Sequence, residues 1–239
     1  MLNRRRLAGI FLAVVMLSFG CSDDVVCPGV GETDTVPYIA AKVVERSTTL
    51  GDTTFVAVFC SADPLPSLFV ASVNLRSITD ISTADPPGLV ATLEDGQLIW
   101  VTGTPCSLRV TTDYGFAGAS ATVPGAFSVS ADASIVLGDP LTLRWTASPD
   151  ADYYTVAAVL EGGRNGAIEL SATTADTTAT FDPSSLPFAG SITGSVSAVS
   201  GPFPEGGTEG NITDAGWGFF TVSYGGPLSE FEVSIVDPP

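Results

Sequence analysis

The chain has 239 residues, nine basic side chains against 26 acidic ones, no histidine, and a formal charge of −17. Without an imidazole there is no Ser-His or Cys-His nucleophile pair and no His-ligated metal site, and so acidic a chain repels phosphate backbones, which argues against nucleic acid as a partner. Apolar residues make up 45% and charged residues 15%, a balance that supports a buried core and not a disordered chain.

Arg4, Arg5 and Arg6 open the chain, and an apolar run follows from 7 to 19, broken only by Gly9 and Ser18. A positive head and a short apolar stretch are the two elements of an export signal. The run falls short of the roughly 20 residues that a membrane span needs. Leu17-Ser18-Phe19-Gly20-Cys21 then resembles the lipobox of bacterial lipoprotein precursors, in a relaxed form. The resemblance implies a signal peptide at 1–20, cleavage before Cys21, and acylation of Cys21 as the link to a lipid bilayer. It places the mature chain in the bacterial cell envelope, at the outer membrane or cell surface, with Ser22 leaning towards the outer membrane. Two or more acyl chains make such an anchor durable, since each buried methylene contributes about 0.8 kcal/mol. Loss of the three arginines takes the charge from −17 to −20 and leaves Lys42 as the one lysine.

Residues 21–36 are rich in Asp, Gly, Pro and Thr and read as a tether. From 37 the pattern changes to short alternating runs separated by turn residues. Strands are expected at 38–44, 54–60, 68–75, 89–93, 97–102, 106–112 and 119–123, enough for one immunoglobulin-sized β-sandwich over 37–124. Val123-Pro124-Gly125 reads as a joint. The count restarts over 125–239, with strands expected at 127–130, 135–137, 141–146, 153–160, 167–171, 178–181, 192–200, 219–224 and 231–236. In 141–146, Leu141, Leu143 and Trp145 share one face, and Thr142, Arg144 and Thr146 the other. That strand, the Ser148-Pro149-Asp150 turn, the strand opening Tyr153-Tyr154 and the Phe181-Asp182-Pro183 turn together resemble a fibronectin type III or related Ig-like domain over about 75 residues. The expected fold is therefore all-β, with two consecutive Ig-like or fibronectin III-like sandwiches.

Alternation puts Cys60 on a face with Val56 and Val58, and Cys106 on a face with Leu108 and Val110, so both thiols point into one core. Their order, on the second and sixth strands, is that of the inter-sheet bridge of Ig domains, and the resemblance implies a Cys60–Cys106 disulfide. Two buried free thiols, or a pairing with Cys27, are the alternatives.

Carboxylates are the only plentiful ionisable groups. Asp63, Asp85, Asp95, Asp139, Asp150 and Asp152 fall in turns, where hydrogen bonds to the backbone account for them. Neither Asp-Thr-Gly, Gly-x-Ser-x-Gly nor a phosphate-binding loop occurs, so no enzyme is expected. The acidic stretch 201–218 is the one candidate for calcium, a hard cation that takes oxygen ligands. It offers Glu205, Glu209, Asn211 and Asp214, with Phe203 and Trp217 as binding-loop aromatics, or it is a solvated loop with Trp217 laid on the sandwich. No other cofactor is implied.

These readings lead to a lipid-anchored, non-enzymatic binding or scaffold protein with a protein or glycan partner. The alternative is a carbohydrate-binding module, or one tied to a carboxylate-based glycoside hydrolase. A row of aromatic side chains on one sheet would favour sugar binding. Two close carboxylates in a cleft would favour hydrolysis.

Overall fold

Short runs of β-branched and aromatic residues, cut by Gly, Pro and Asp, form strands throughout. The computed structural model describes residues 36–48, 51–62, 66–78, 81–82, 88–93, 100–162, 166–203 and 210–239. Among them there is no α-helix, and Pro183–Ser185 makes a single 3-10 turn. The fold is all-β and built as sandwiches, as the alternation predicts. The expected signal segment 1–20, Cys21, Cys27 and the expected tether, as far as residue 35, lie outside the described residues.

The first eight strands are β1 (Tyr38–Thr48), β2 (Gly51–Ser61), β3 (Phe69–Val73), β4 (Arg76–Ile78), β5 (Ile81–Ser82), β6 (Gly88–Leu93), β7 (Pro105–Thr112) and β8 (Gly115–Thr122). The next six are β9 (Val129–Ser130), β10 (Ser134–Val136), β11 (Leu141–Trp145), β12 (Tyr153–Glu161), β13 (Ala167–Thr174) and β14 (Thr178–Phe181). The last four are β15 (Gly190–Ser200), β16 (Thr213–Asp214), β17 (Trp217–Gly225) and β18 (Glu230–Val236).

One sheet runs through the whole body in the order β10-β18-β15-β17-β1-β2-β6-β5, with β12 on the other edge of β15 and β13 beyond it. Two smaller sheets close the sandwiches: β16-β8-β7-β3-β4 over the first half and β14-β11-β9 over the second. Each half has its own core. Ile39, Val43, Val56, Val58, Val73 and Val110 centre the first. Leu141, Leu143, Leu160, Leu186, Ile192 and Val196 centre the second, where Trp145 and Phe127 flank Tyr154 with ring centroids 5.4 and 5.9 Å away.

The expected boundary at 124/125 marks where the chain first crosses, but it does not divide the cores. Residues 210–225 return to the first sandwich. β16 pairs with β8, and β17 lies parallel to β1 over nine pairs, from Tyr38 opposite Trp217 to Arg46 opposite Gly225. Ile212, Phe220 and Val222 are buried in the first core. The run 219–224, assigned from the sequence to the second sandwich, thus serves both. Alternation reveals that a strand has a buried face, and says nothing about which core receives it.

β17 and β18 act as one interrupted strand. Ala198–Ser200 of β15 pair with Val222–Tyr224, and Gly190–Ser195 pair with Glu230–Ile235, on the same edge and in the same sense. Between them Gly226 and Ser229 close a tight turn, with both the N–H and Oγ of Ser229 donating to the Gly226 carbonyl at 3.0 and 2.7 Å. Gly218 is required for the close approach of β1. Its φ is +128°, and a Cβ there would stand 2.0 Å from the Ile39 carbonyl oxygen.

Two other expectations shift. Residues 100–102 of the strand expected at 97–102 belong to a turn, closed by Thr104 N–H donating to the Val101 carbonyl at 3.1 Å; the rest of that run lies outside the described residues. The run 68–75 ends early, because Asn74 and Leu75 (φ 45° and 66°) turn the chain directly into β4.

Candidate functional site

The seam between the sandwiches is tied by polar contacts between turns and strand ends. Gly125 N–H donates to the Pro149 carbonyl at 2.8 Å, and the buried Ser148 Oγ donates to the Gly125 carbonyl at 2.6 Å. Thr122 N–H donates to Ser200 Oγ at 3.1 Å across the seam, and beside it, within the second half, Gly201 N–H donates to the Asp152 carboxylate at 2.8 Å. Trp100, from the first half, stacks on Tyr224 at 6.3 Å. A recess at this seam is lined by Val44, Glu45 and Arg46 of β1, and by Ser195, Ser197, Gly225, Ser229 and Glu230. Two carboxylates meet here, yet both have partners. The buried Glu45 accepts from Thr54 Oγ1, and Glu230 pairs with Arg46. The open space, about 10 Å³, holds about one water, too little for a sugar ring.

The outer face of the first sheet gathers a cluster of aromatic side chains beside Lys42, with Ala57 and Val44 buried in it and Trp217 at its open edge. Its side chains follow from register, because neighbours opposite one another share a face. Trp217 and Tyr38 form one row, Phe219, Ala40 and Phe59 the next, then Thr221, Lys42 and Ala57, with Val44 and Phe55 beyond. Tyr38 sits edge-on between Trp217 and Phe219, at centroid distances of 4.7 and 6.5 Å. Trp217 is 36% exposed, so it is laid on the sheet while keeping some of its ring open. Burial in this apolar field pushes the pKa of Lys42 down to about 8.

Cys60 and Cys106 are both buried in the first core, as alternation predicts, but they are free thiols and the implied bridge is not formed. Their heights in the sandwich explain why. Cys60 lies opposite Ile39 on β1, and Ile39 and Ala117 meet over Gly216. Ala117 is opposite Val110, whereas Cys106 is opposite Ala121. The four-residue offset is roughly 13 Å along the strand, about twice the Cα separation a disulfide spans. Burial pushes the Cys60 thiol up to about 11, with the Asp113 charge adding to it, and burial pushes Cys106 up to about 12.

The calcium candidates are dispersed. Glu205 and Glu209 lie outside the described residues. Asn211 has both amide atoms engaged by the backbone of one residue, donating to the Phe220 carbonyl at 2.9 Å and accepting from Phe220 N–H at 2.8 Å. It holds 210–213 against β17 as an extra strand would. Asp214 is exposed, at φ 69°, at the end of β16. Among the described residues no three His, Cys, Asp or Glu side chains converge on a point a metal could occupy. Phe203 packs edge-on against Tyr153 at 5.1 Å while Trp217 packs against Tyr38, so the two binding-loop aromatics rest on different halves.

Sequence reasoning missed the setting of Lys42, which depends on β17 as a neighbour 179 positions away in register. It also missed Asp113, whose carboxylate accepts from Ser67 N–H and Oγ at 3.0 and 2.7 Å and is held below its usual range by those bonds. Its partner lies 46 positions earlier in the chain, a separation no local pattern encodes. No helix among the described residues is long and apolar enough to cross a membrane. In sequence comparisons the chain matches no protein-family model and no curated protein.

Proposed function

We propose that the chain is a bacterial envelope lipoprotein that binds or scaffolds without catalysing. The signal at 1–20 is removed, Cys21 is acylated, residues 21–36 form the tether, and the two-sandwich body stands on the outer membrane or cell surface. In this reading the second half is a fibronectin III-like module, a reading supported by its three-stranded β9-β11-β14 sheet facing β13-β12-β15-β18. The observation that carries the scaffold reading is the single sheet running through both halves, which fixes their relative orientation as a rigid support requires. Metabolic labelling with an alkyne fatty acid tests the anchor. Label on the wild-type chain that is lost in Cys21→Ser supports it, and an unlabelled wild-type chain overturns it.

Trp217, the exposed ring at the edge of the outer aromatic face, favours one second reading, carbohydrate binding, because an aromatic ring presents an apolar face on which a sugar ring can stack. Electrophoresis through gels containing neutral polysaccharides tests it. Retardation that disappears in Trp217→Ala supports sugar binding, and mobility unchanged by every polysaccharide ends it.

A further inference from the structure

The two ends of the body are tied by one strand in an unusual way. β1 touches the second sandwich at its C-terminal end, where Arg46 pairs with Glu230. Its N-terminal end, at Tyr38, therefore lies at the far end of the first sandwich. β17 starts beside it at Trp217, runs parallel to β1 into the seam, and continues as β18 along β15 until Ile235 lies opposite Gly190 at the far end of the second sandwich. The chain thus enters at one extremity and leaves at the other. Roughly 3.3 Å per residue of extended strand joins the two.

We propose that residues 217–236 form a tension clasp: a pull between the N-terminus and the C-terminus crosses the β1–β17 ladder in shear and then follows the β17–β18 backbone. The bulk of both sandwiches, 49–216, hangs outside this path. For the origin of the pull, the inference rests on the reading of an anchored scaffold.

The direction of β1 decides the mechanics. Because β1 and β17 are parallel, pulling β1 by its N-terminal end and β17 by its C-terminal end drives them in opposite directions along their common axis. All nine register pairs are then loaded together, and the bonds of a parallel ladder are evenly spaced along it. The same strands pulled from a common end would unzip, their bonds breaking in succession.

Slippage is blocked as well. A shift of one residue would turn Ile39, Ala41 and Val43 out of the core and bring Ala40 and Lys42 in. Gly218 adds a steric stop, since β1 passes so close that no Cβ fits between them. The second sandwich repeats the arrangement in short form, with Ser134–Val136 of β10 parallel to Ser234–Val236 of β18.

Single-molecule pulling tests the proposal. The full chain would carry Cys21→Ser and Cys27→Ser, so that no lipid is added and the buried thiols are the only native cysteines left. One set of molecules is held at the N-terminus and after Pro239. A second set is held at the N-terminus and at Asp214→Cys, an exposed site just ahead of β17, which peels β1 and β17 from a common end. The terminal pull is expected to need a several-fold higher rupture force than the peel, with the first sandwich released in one step when the ladder fails. Equal rupture forces in the two geometries, or extension of the second sandwich before the β1 ladder fails, would overturn the clasp. As the pulled chain is unlipidated, this test and the Cys21 labelling fail independently.

Discussion

Cys60 and Cys106 show most clearly how a residue's setting departs from what its pattern suggests. Both are buried and both are held protonated well above the ordinary thiol, so neither is a nucleophile at neutral pH. In a chain carrying Cys21→Ser and Cys27→Ser, a thiol reagent should label nothing in the native state and two thiols in denaturant. A native chain that yields no thiol even when unfolded would show a bridge and contradict this account. Lys42 has the opposite consequence for stability. Its folded value of about 8 lies below its ordinary 10.5, so the unfolded chain binds the extra proton between those limits and stability rises with pH across them. The two thiols are raised instead, and their contribution is lost as pH climbs above about 9. The window from pH 8 to 9 therefore isolates the lysine. Lys42→Met should be more stable than wild type at pH 7, and the gap should narrow as pH rises through 8 and beyond. Urea midpoints along a pH series would show it, and a gap independent of pH would refute it.

At the scale of elements, β17 matters most, and it was the least legible. Its alternation, Phe220 and Val222 inward against Phe219 and Thr221 outward, was visible in the sequence, as were Leu141-Leu143-Trp145, the Tyr153-Tyr154 strand and most hairpins. Those depend on local period and on turn residues. The parallel partner of β17 lies about 180 positions earlier, and no local pattern encodes a pairing at that separation. The disulfide failed for a related reason. Alternation assigns a face but not a height along the strand, and height decides whether two thiols meet. For the candidate site, the aromatics of the outer face were each visible, while their adjacency required register. Because Ile212, Phe220 and Val222 complete the first core, residues 37–124 alone should not fold. Circular dichroism melting of that fragment should show no cooperative transition, and a sharp melt would contradict the shared strand. In the full chain, Phe220→Ala should cost about 3–5 kcal/mol, the usual range for emptying a fully buried phenylalanine site.

For the whole molecule, a single sheet makes the two sandwiches one unit. The seam adds the Thr122–Ser200 bond and the Gly125 bonds to Ser148 and Pro149 to the strand pairing, so opening either half exposes bonds held by the other. Such coupling distinguishes this chain from two beads joined by a linker. Native-state hydrogen exchange on wild type and Ile192→Ala tests it most directly. Ile192 is fully buried in the second core, far from β1, and its truncation should cost about 2–5 kcal/mol. The amides of β1 and β7, in the first sandwich, are expected to lose the same opening free energy as those of β15. Protection in β1 and β7 that stays at the wild-type level while β15 weakens would contradict it.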